Sequence, residues 1–227
     1  MTRFGARTLL LALSLLVAVG CAGDDDPPEP LAAPELTIDG SRLSISCFGA
    51  DCAVYLTSDG TSVHVVVNRA VGGMAVARSE ELTSRLITDV AIDFGNGNDR
   101  IVIQGYVFPG TLRVAMGDGD DEMRLVDDAG SLGTMDLDLG AGDDRAEFAP
   151  RLLSRGFRID AGPDDDEVVI RAACFPYGSV VRGGTGSDFL FATAKLVAQA
   201  GTLDGFEERT LGFGGFAGLD EVCRDLE

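Results

Sequence analysis

The chain has 227 residues, which is enough for one or two domains. Its formal net charge is -19, and so acidic a chain is a poor partner for nucleic acid, because phosphate binding depends on Lys and Arg. Thirty glycines and twelve phenylalanines without a tryptophan favour a turn-rich β protein over a helical one.

Residues 1-20 have the features of an export signal. Arg3 and Arg7 precede an apolar run that is too short to span a membrane comfortably. The run ends in VAVGC, which resembles the lipobox of bacterial lipoproteins and implies that Cys21 becomes the lipid-modified first residue. The alanine after this cysteine implies, by the same resemblance, a lipid anchor in the outer membrane. An ordinary signal peptide with an incidental cysteine is the alternative.

The next segments predict a tether and an N-terminal cap. Residues 21-34 are acidic and proline-rich without apolar periodicity, which is typical of an extended linker. Residues 35-79 alternate like strands and contain two hairpin signals, Asp39-Gly40 and Asp59-Gly60. We predict that residues 35-89 form a β cap, because the stacked repeats that follow must be covered at their end. Within this region, residues 79-86 are interpreted as a short helical turn or loop.

Beyond the lipobox the chain has four cysteines, and an even number in an exported chain predicts two disulfide bonds. Three pairings are possible. The short turn between Cys47 and Cys52 makes that local bridge easy to close, which leaves Cys174 with Cys223. Free buried thiols are the alternative. The one histidine, His64, is interpreted as a strand residue rather than as a ligand or base, because it lies in an alternating segment.

Residues 90-194 carry five copies of a Gly-x-Gly-x-Asp turn at a nearly constant period. Successive motif aspartates are 22, 23, 22 and 22 residues apart, at Asp99, Asp121, Asp144, Asp166 and Asp188. A fixed period of this size indicates one supersecondary unit stacked on itself. Apolar residues lie two and four positions after each aspartate, and five and seven before it, with Gly183 as the exception. The pattern predicts an all-β, right-handed parallel β-solenoid of about five coils of about 22 residues.

Stacked turns predict a column of carboxylates along one edge of the solenoid, and their mutual repulsion requires a cation. Glycines with positive φ turn backbone carbonyls inward, and calcium takes six to eight such oxygens together with carboxylates. Five turns leave four gaps for ions, and the best are expected between Asp121 and Asp144 and between Asp144 and Asp166. Pro163 and Asp164 predict a distorted fourth turn. Additional acids are expected to tune affinity or to solvate the edge: Asp118, Asp120, Asp143, Asp164 and Asp165.

The turns resemble the calcium-binding nonapeptide repeat of the RTX, or hemolysin-type, family, whose fold is the parallel β-roll. The matching segments are GNGNDRI, GDGDDEM, GAGDDRA, GPDDDEV and GGTGSDFL, and the resemblance covers about half of the chain. It implies that Ca2+ is bound by Gly95, Gly97, Asp99, Gly117, Gly119, Asp121, Gly140, Gly142, Asp144, Gly162, Asp164, Asp166, Gly184, Gly186 and Asp188. The chain departs from the family's pattern, because its coil is longer and only one edge carries the motif. A metal-free solenoid with Gly-Asp turns is the alternative.

Residues 195-227 lack the motif and are predicted to form a C-terminal cap, with a short helix over 218-226. No Ser-His-Asp set is visible, so the chain is expected not to be an enzyme. We expect a calcium-binding envelope lipoprotein with a structural or adhesive role, and its protein or glycan partner stays open. A polysaccharide-acting enzyme on a β-solenoid scaffold, or a metal-independent structural solenoid, is the alternative.

Overall fold

A computed structural model describes residues 33-59, 62-71, 74-83, 87-105, 107-126, 130-131, 133-148, 156-171, 179-193 and 202-212. In this part of the chain the regular elements are β-strands joined by turns. No helix among these residues has the length and apolarity needed to cross a membrane. The export signal, the tether, the predicted helix over 218-226 and the cysteines Cys21, Cys174 and Cys223 lie outside the described residues.

The strands are short and follow one another closely along the chain. In order they are β1 (Glu35–Asp39), β2 (Arg42–Cys47), β3 (Cys52–Ser58), β4 (Ser62–Val71), β5 (Met74–Thr83), β6 (Asp89–Phe94), β7 (Arg100–Gln104), β8 (Val107–Phe108), β9 (Leu112–Ala115), β10 (Glu122–Val126), β11 (Gly130–Ser131), β12 (Thr134–Asp138), β13 (Arg145–Phe148), β14 (Gly156–Pro163), β15 (Glu167–Ile170), β16 (Val180–Thr185), β17 (Phe189–Thr193), β18 (Thr202–Asp204) and β19 (Glu208–Gly212).

These strands form a parallel β-solenoid, as the repeat pattern predicts. Sheet A has the order β1-β2-β6-β9-β12-β14-β16-β18, and sheet B has the order β19-β17-β15-β13-β10-β7-β3-β4-β5. Strands β8 and β11 form a separate parallel pair. Each coil places one strand in sheet A and the next in sheet B, and inward side chains from both sheets form one apolar core.

The coil length follows from the strand register. In sheet B, Arg100 pairs with Glu122, Glu122 with Arg145, Arg145 with Glu167 and Glu167 with Phe189, so paired residues differ in number by 22 or 23. The five motifs therefore delimit about four turns of the solenoid, one fewer than the number of motifs. The apolar positions after each motif stack in the core as predicted, at Ile101, Met123, Ala146, Val168 and Leu190.

The N-terminal hairpins join the solenoid directly. The predicted hairpins are confirmed, because β1 pairs antiparallel with β2 and β3 pairs antiparallel with β4. However, β2 also pairs in parallel with β6, and β3 in parallel with β7, so β2 and β3 form a first coil without the glycine motif. The interpretation of 79-86 as a helical turn or loop was wrong over 79-83, because β5 continues to Thr83 in antiparallel pairing with β4. Residues 84-86 lie outside the described residues. Tertiary pairing overrides the helical preference of this Glu-containing segment.

Both ends of the repeat region differ from a simple cap. A disulfide joins Cys47 at the end of β2 to Cys52 at the start of β3, across the first turn, as predicted. At the other end, β18 and β19 add one more parallel strand to each sheet, within the region predicted as a C-terminal cap. The connecting turn is shorter there, because Arg182 and Phe189 are seven residues apart in the preceding coil, whereas their pairing partners Asp204 and Glu208 are four apart.

Candidate functional site: the stacked aspartate column

The glycines of the motif allow neighbouring turns to lie in direct contact. At Gly140 the backbone has a φ of 103°, and a Cβ atom there would lie 1.7 Å from the carbonyl oxygen of Gly117 in the preceding coil. In addition, the carbonyl of Gly117 accepts the N–H of Ala141 at 2.8 Å. The first glycine of the second to fifth motifs is thus explained by close stacking of backbone on backbone, whereas a Cβ at Gly95 in the first motif would lie 3.0 Å from Phe48. Equivalent clashes, at 1.7 to 1.9 Å, exclude a side chain at Gly117, Gly162 and Gly184.

The second motif glycine is also conformationally required, and the fourth turn keeps this conformation. Gly119 and Gly142 have φ values of 138° and 128°. Asp164 takes the same place in the fourth turn with a φ of 83°, which is a left-handed conformation that Asp tolerates better than most residues. Its N–H donates to the carbonyl of Thr185 at 2.7 Å, so the coil-to-coil hydrogen bond is preserved. Stacking is therefore maintained in the turn for which the sequence predicts a distortion.

The last residue of each motif forms a hydrogen-bonded column through the solenoid. We call Asp99, Asp121, Asp144, Asp166 and Asp188 the Asp column. The backbone N–H of each member donates to Oδ1 of the next, over 2.7, 2.8, 2.9 and 3.0 Å from Asp99 to Asp188. The column is continued at both ends, because Cys52 N–H donates to Asp99 Oδ1 and Asp188 N–H donates to an oxygen of Glu207.

The Asp column is buried, whereas the sequence analysis places it on an edge of the solenoid. Its five side chains are 1–3% exposed. The reason is the alternation of the following strand, because Asp99 has the same parity as Ile101 and Ile103 and faces the same interior. In each member Oδ2 is buried and has no hydrogen-bond partner within the described part of the chain. The column thus presents a row of unsatisfied carboxylate oxygens to the inside of the turns.

A second side-chain ladder runs along the outside of the turns. Asn98 N–H donates to Asp51 Oδ1, and Asp120 N–H donates to Asn98 Oδ1, at 3.0 and 3.3 Å. Asp120, Asp143 and Asp165 continue this exposed ladder, and Ser187 N–H ends it at 2.8 Å from Asp165 Oδ1. Three of the acids assigned above to affinity or solvation therefore accept backbone hydrogen bonds between coils. Recurrence of Asp or Asn directly before the motif aspartate is the sequence signal for them.

Burial changes the ionisation of the Asp column. Desolvation is the largest cause, and repulsion by neighbouring carboxylates adds to it, whereas the accepted N–H acts in the opposite direction. The pKa is raised to about 6 at Asp99, about 7 at Asp121 and Asp166, and about 8 at Asp144, and burial also raises the pKa of Asp188. The centre of the column therefore has the greatest need for a proton or another cation.

One buried cation lies near the start of the column, and the sequence analysis missed it. Arg69 points inward from β4 and is 1% exposed. Its guanidinium donates to the carbonyl of Phe48 in the first turn, and its positive charge lowers the pKa of Asp99 against the dominant effect of burial. The sequence signal was the spacing of two residues between Val67 and Arg69, which places the arginine on the same face of β4 as the apolar residues Val63, Val65 and Val67.

The arrangement suits a cation held between two carboxylates. Among the described residues, no group of three or more His, Cys, Asp and Glu side chains is arranged to hold a metal ion. Neighbouring members of the Asp column are one coil apart, which is about 4.8 Å, and calcium binds oxygen at about 2.3 to 2.6 Å. The turn carbonyls, such as that of Gly117, accept one N–H from the next coil, and each retains a second lone pair.

Comparison with protein families, with characterised proteins and with solved structures found no match for this chain. The fold and the Asp column therefore rest on the coordinates and on the chemistry of the residues themselves. Resemblance to the RTX repeat is confined to the turn motif, and it does not assign the chain to that family.

Proposed function

We propose that this chain is a calcium-binding solenoid of the bacterial cell envelope, in which ions held along the Asp column stabilise the stacked coils. The observation that carries the proposal is the row of five buried Oδ2 atoms without a hydrogen-bond partner in the described residues. A buried anionic oxygen without a partner is costly, and a divalent cation offsets two of them at once. Binding energy then becomes folding energy, because the unfolded chain does not hold the column together.

The middle gaps of the column are the proposed sites. The gaps on either side of Asp144 combine the highest carboxylate pKa with neighbours on both sides, so a cation there removes the largest electrostatic penalty. Turn carbonyls supply the neutral oxygens that a pair of carboxylates leaves missing. Extracellular calcium is millimolar, and sites of modest affinity suffice at that concentration.

Anchoring at Cys21 and a structural or adhesive role belong to the same proposal. The lipobox resemblance supports the anchor. The outer face of sheet B supports a scaffold rather than a glycosidase, because acids in the middle of this sheet are paired with arginines of neighbouring coils, as in Arg100 with Glu122 at 3.1 Å and Arg124 with Glu147 at 3.3 Å. A glycosidase requires two available carboxylates on either side of a sugar. Replacement of Cys21 by Ser, followed by fractionation of cells, tests the anchor.

A metal-independent scaffold is the second candidate, and two observations favour it. Close backbone contact explains the motif glycines without an ion, and Oδ1 of each member of the Asp column is satisfied by a backbone N–H. In that case protons, rather than calcium, neutralise the column, as the raised pKa values allow.

Calcium titration of the purified full-length chain separates the two candidates. We expect isothermal calorimetry after EDTA treatment to give heat with calcium, at up to four ions per chain, and a matching rise in melting temperature, with magnesium as the control. Asp144→Asn should reduce the number of calcium ions bound per chain, because the lost anionic oxygen lies between the two middle gaps and is shared by both. Asp143→Asn, in the adjacent exposed residue, should leave it unchanged. Absence of calcium binding, or equal effects of the two variants, would reject the calcium sites and leave the metal-independent scaffold.

A further inference from the structure

The antiparallel start of the solenoid carries one residue whose chemistry differs from that of its neighbours. Strand β4 buries Val63, Val65 and Val67 on its inward face, and Arg69 continues the same face at 1% exposure. Burying a guanidinium costs several kcal/mol unless it meets an opposite charge and fills its hydrogen bonds. The alternation of β4 predicts an apolar residue at position 69, so the arginine found there requires a specific explanation.

Strand register places Arg69 at the end of the Asp column. Cys52 of β3 pairs with Arg69 on one side. On its other side Cys52 adjoins Asp99, because Ala53 pairs with Arg100 and the Cys52 N–H donates to Asp99 Oδ1 at 2.7 Å. The guanidinium reaches the carbonyl of Phe48, in the turn that precedes the first motif turn. Arg69 thus occupies the rung that follows Cys52 as the column is extended beyond Asp99.

The distribution of buried charge also indicates that the Asp column is the partner of Arg69. Among the described residues that are buried, the charged side chains are Arg69 and the five members of the Asp column. The one buried positive group thus lies toward the end of the column where Cys52, rather than a further aspartate, takes the next rung. The exposed Asp51 also acts on Asp99 at this end and raises its pKa. At the opposite end the column continues into Glu207, which is exposed and able to keep its charge in water.

We propose that Arg69 is the internal counter-ion of the Asp column and that it neutralises Asp99 from within the first coil. The β4–β5 hairpin then closes the column electrostatically as well as covering the edge of sheet B. This role goes beyond calcium binding and does not depend on it, because the guanidinium belongs to the chain. It also predicts that the need for an external cation is smallest at Asp99 and increases toward the middle of the column.

A double-mutant cycle between Arg69 and Asp99 tests the proposal. Arg69→Met, Asp99→Asn and the double variant of the full-length chain are unfolded with urea in EDTA at pH 7.5. Asparagine retains an oxygen that accepts the Cys52 N–H, so this substitution removes mainly charge. We expect a coupling of at least tenfold in the unfolding equilibrium constant, about 1.4 kcal/mol, with the double variant more stable than Arg69→Met alone.

Asp166→Asn provides the control, because Asp166 lies three coils beyond Asp99, roughly 14 Å along the column. Its effect should add to that of Arg69→Met within about twofold in the unfolding equilibrium constant. Arg69→Lys should lie closer to the wild type than Arg69→Met does, because it keeps the positive charge. If Arg69→Met fails to fold, Asp99→Asn should restore folding. Additive effects of Arg69→Met and Asp99→Asn, or failure of Asp99→Asn to restore an unfolded Arg69→Met, would overturn the role of Arg69. Since EDTA is present throughout, this result is independent of whether the column binds calcium.

Discussion

Replacing Asp144 by Asn probes the central charge of the Asp column without removing its hydrogen bond. Asp144 Oδ1 accepts the N–H of Asp121 at 2.8 Å, and its own N–H donates to Asp166 at 2.9 Å. Asparagine retains the accepting oxygen and the backbone N–H. The substitution replaces only the buried Oδ2, which has no partner in the described part of the chain, by an amide nitrogen.

The magnitude follows from the raised pKa. Burial raises the pKa of Asp144 from 3.8 to about 8, so keeping this group ionised in the folded state at pH 9 costs about 6 kcal/mol without a cation. An amide that leaves its hydrogen bonds unmade costs roughly 1 to 3 kcal/mol. We therefore expect Asp144→Asn to stabilise the metal-free protein by about 3 to 5 kcal/mol at pH 9.

The sign of the pH dependence is opposite to that of ordinary acid denaturation. Because the folded-state pKa exceeds the unfolded value of 3.8, the penalty is fully present above about pH 8. It falls as the carboxyl of Asp144 takes up a proton, and it disappears below the unfolded pKa. The advantage of Asp144→Asn should therefore shrink between pH 9 and pH 5 and reverse near pH 4, where only the amide cost remains.

Thermal and urea unfolding in EDTA at pH 9, 7 and 5 measure this effect. We expect the melting temperature of Asp144→Asn to exceed that of the wild type by roughly 6 to 20 °C at pH 9, from about 2 to 4 °C per kcal/mol for a chain of this size. Asp143→Asn, in the exposed ladder, should stay within about 0.5 kcal/mol of the wild type. Destabilisation of Asp144→Asn at pH 9, or a difference that does not change with pH, would refute the reasoning from buried charge.

Three further expectations concern the whole solenoid, the glycine stack and the disulfide. In EDTA the wild type should gain stability between pH 8 and pH 5, because the raised pKa values of the Asp column lie in that window; a urea midpoint that stays flat or falls contradicts this. Gly140→Ala should lower the free energy of unfolding in urea by more than about 3 kcal/mol, since its Cβ would lie 1.7 Å from a carbonyl oxygen. The control Gly40→Ala, with no atom within 4 Å of the new Cβ, should lower it by about 1 kcal/mol. Equal losses in the two variants would contradict the stacking role of Gly140. Replacing Cys47 and Cys52 by Ser should cost about 2 kcal/mol and make stability insensitive to reductant, and an unchanged urea midpoint would show that this bridge contributes nothing.

The local features of the repeat were predictable, and the ends of the repeat region were not. Alternation of apolar residues around each motif indicates two strands per coil, because side chains on a strand alternate between core and solvent whatever surrounds them. Strand β5 was missed, since pairing with β4 outweighs local preference at its Glu-rich end. The strands β18 and β19 lack the motif, and only their pairing with β16 and β17 identifies them as a further coil.

The period, the parallel stacking of coils, the position of the turns and the Cys47–Cys52 bridge were predictable from the amino-acid sequence, because each depends on residues that are close in the chain or repeat at a fixed spacing. The environment of the carboxylates depends instead on how the coils pack in three dimensions. The Asp column is inside and the ladder through Asp120 and Asp143 is outside, although the two rows are adjacent in sequence. Two strand pairings, β4 with β3 and β3 with β7, bring Arg69 toward Asp99 although the two residues are 30 positions apart, and no periodic pattern predicts this proximity.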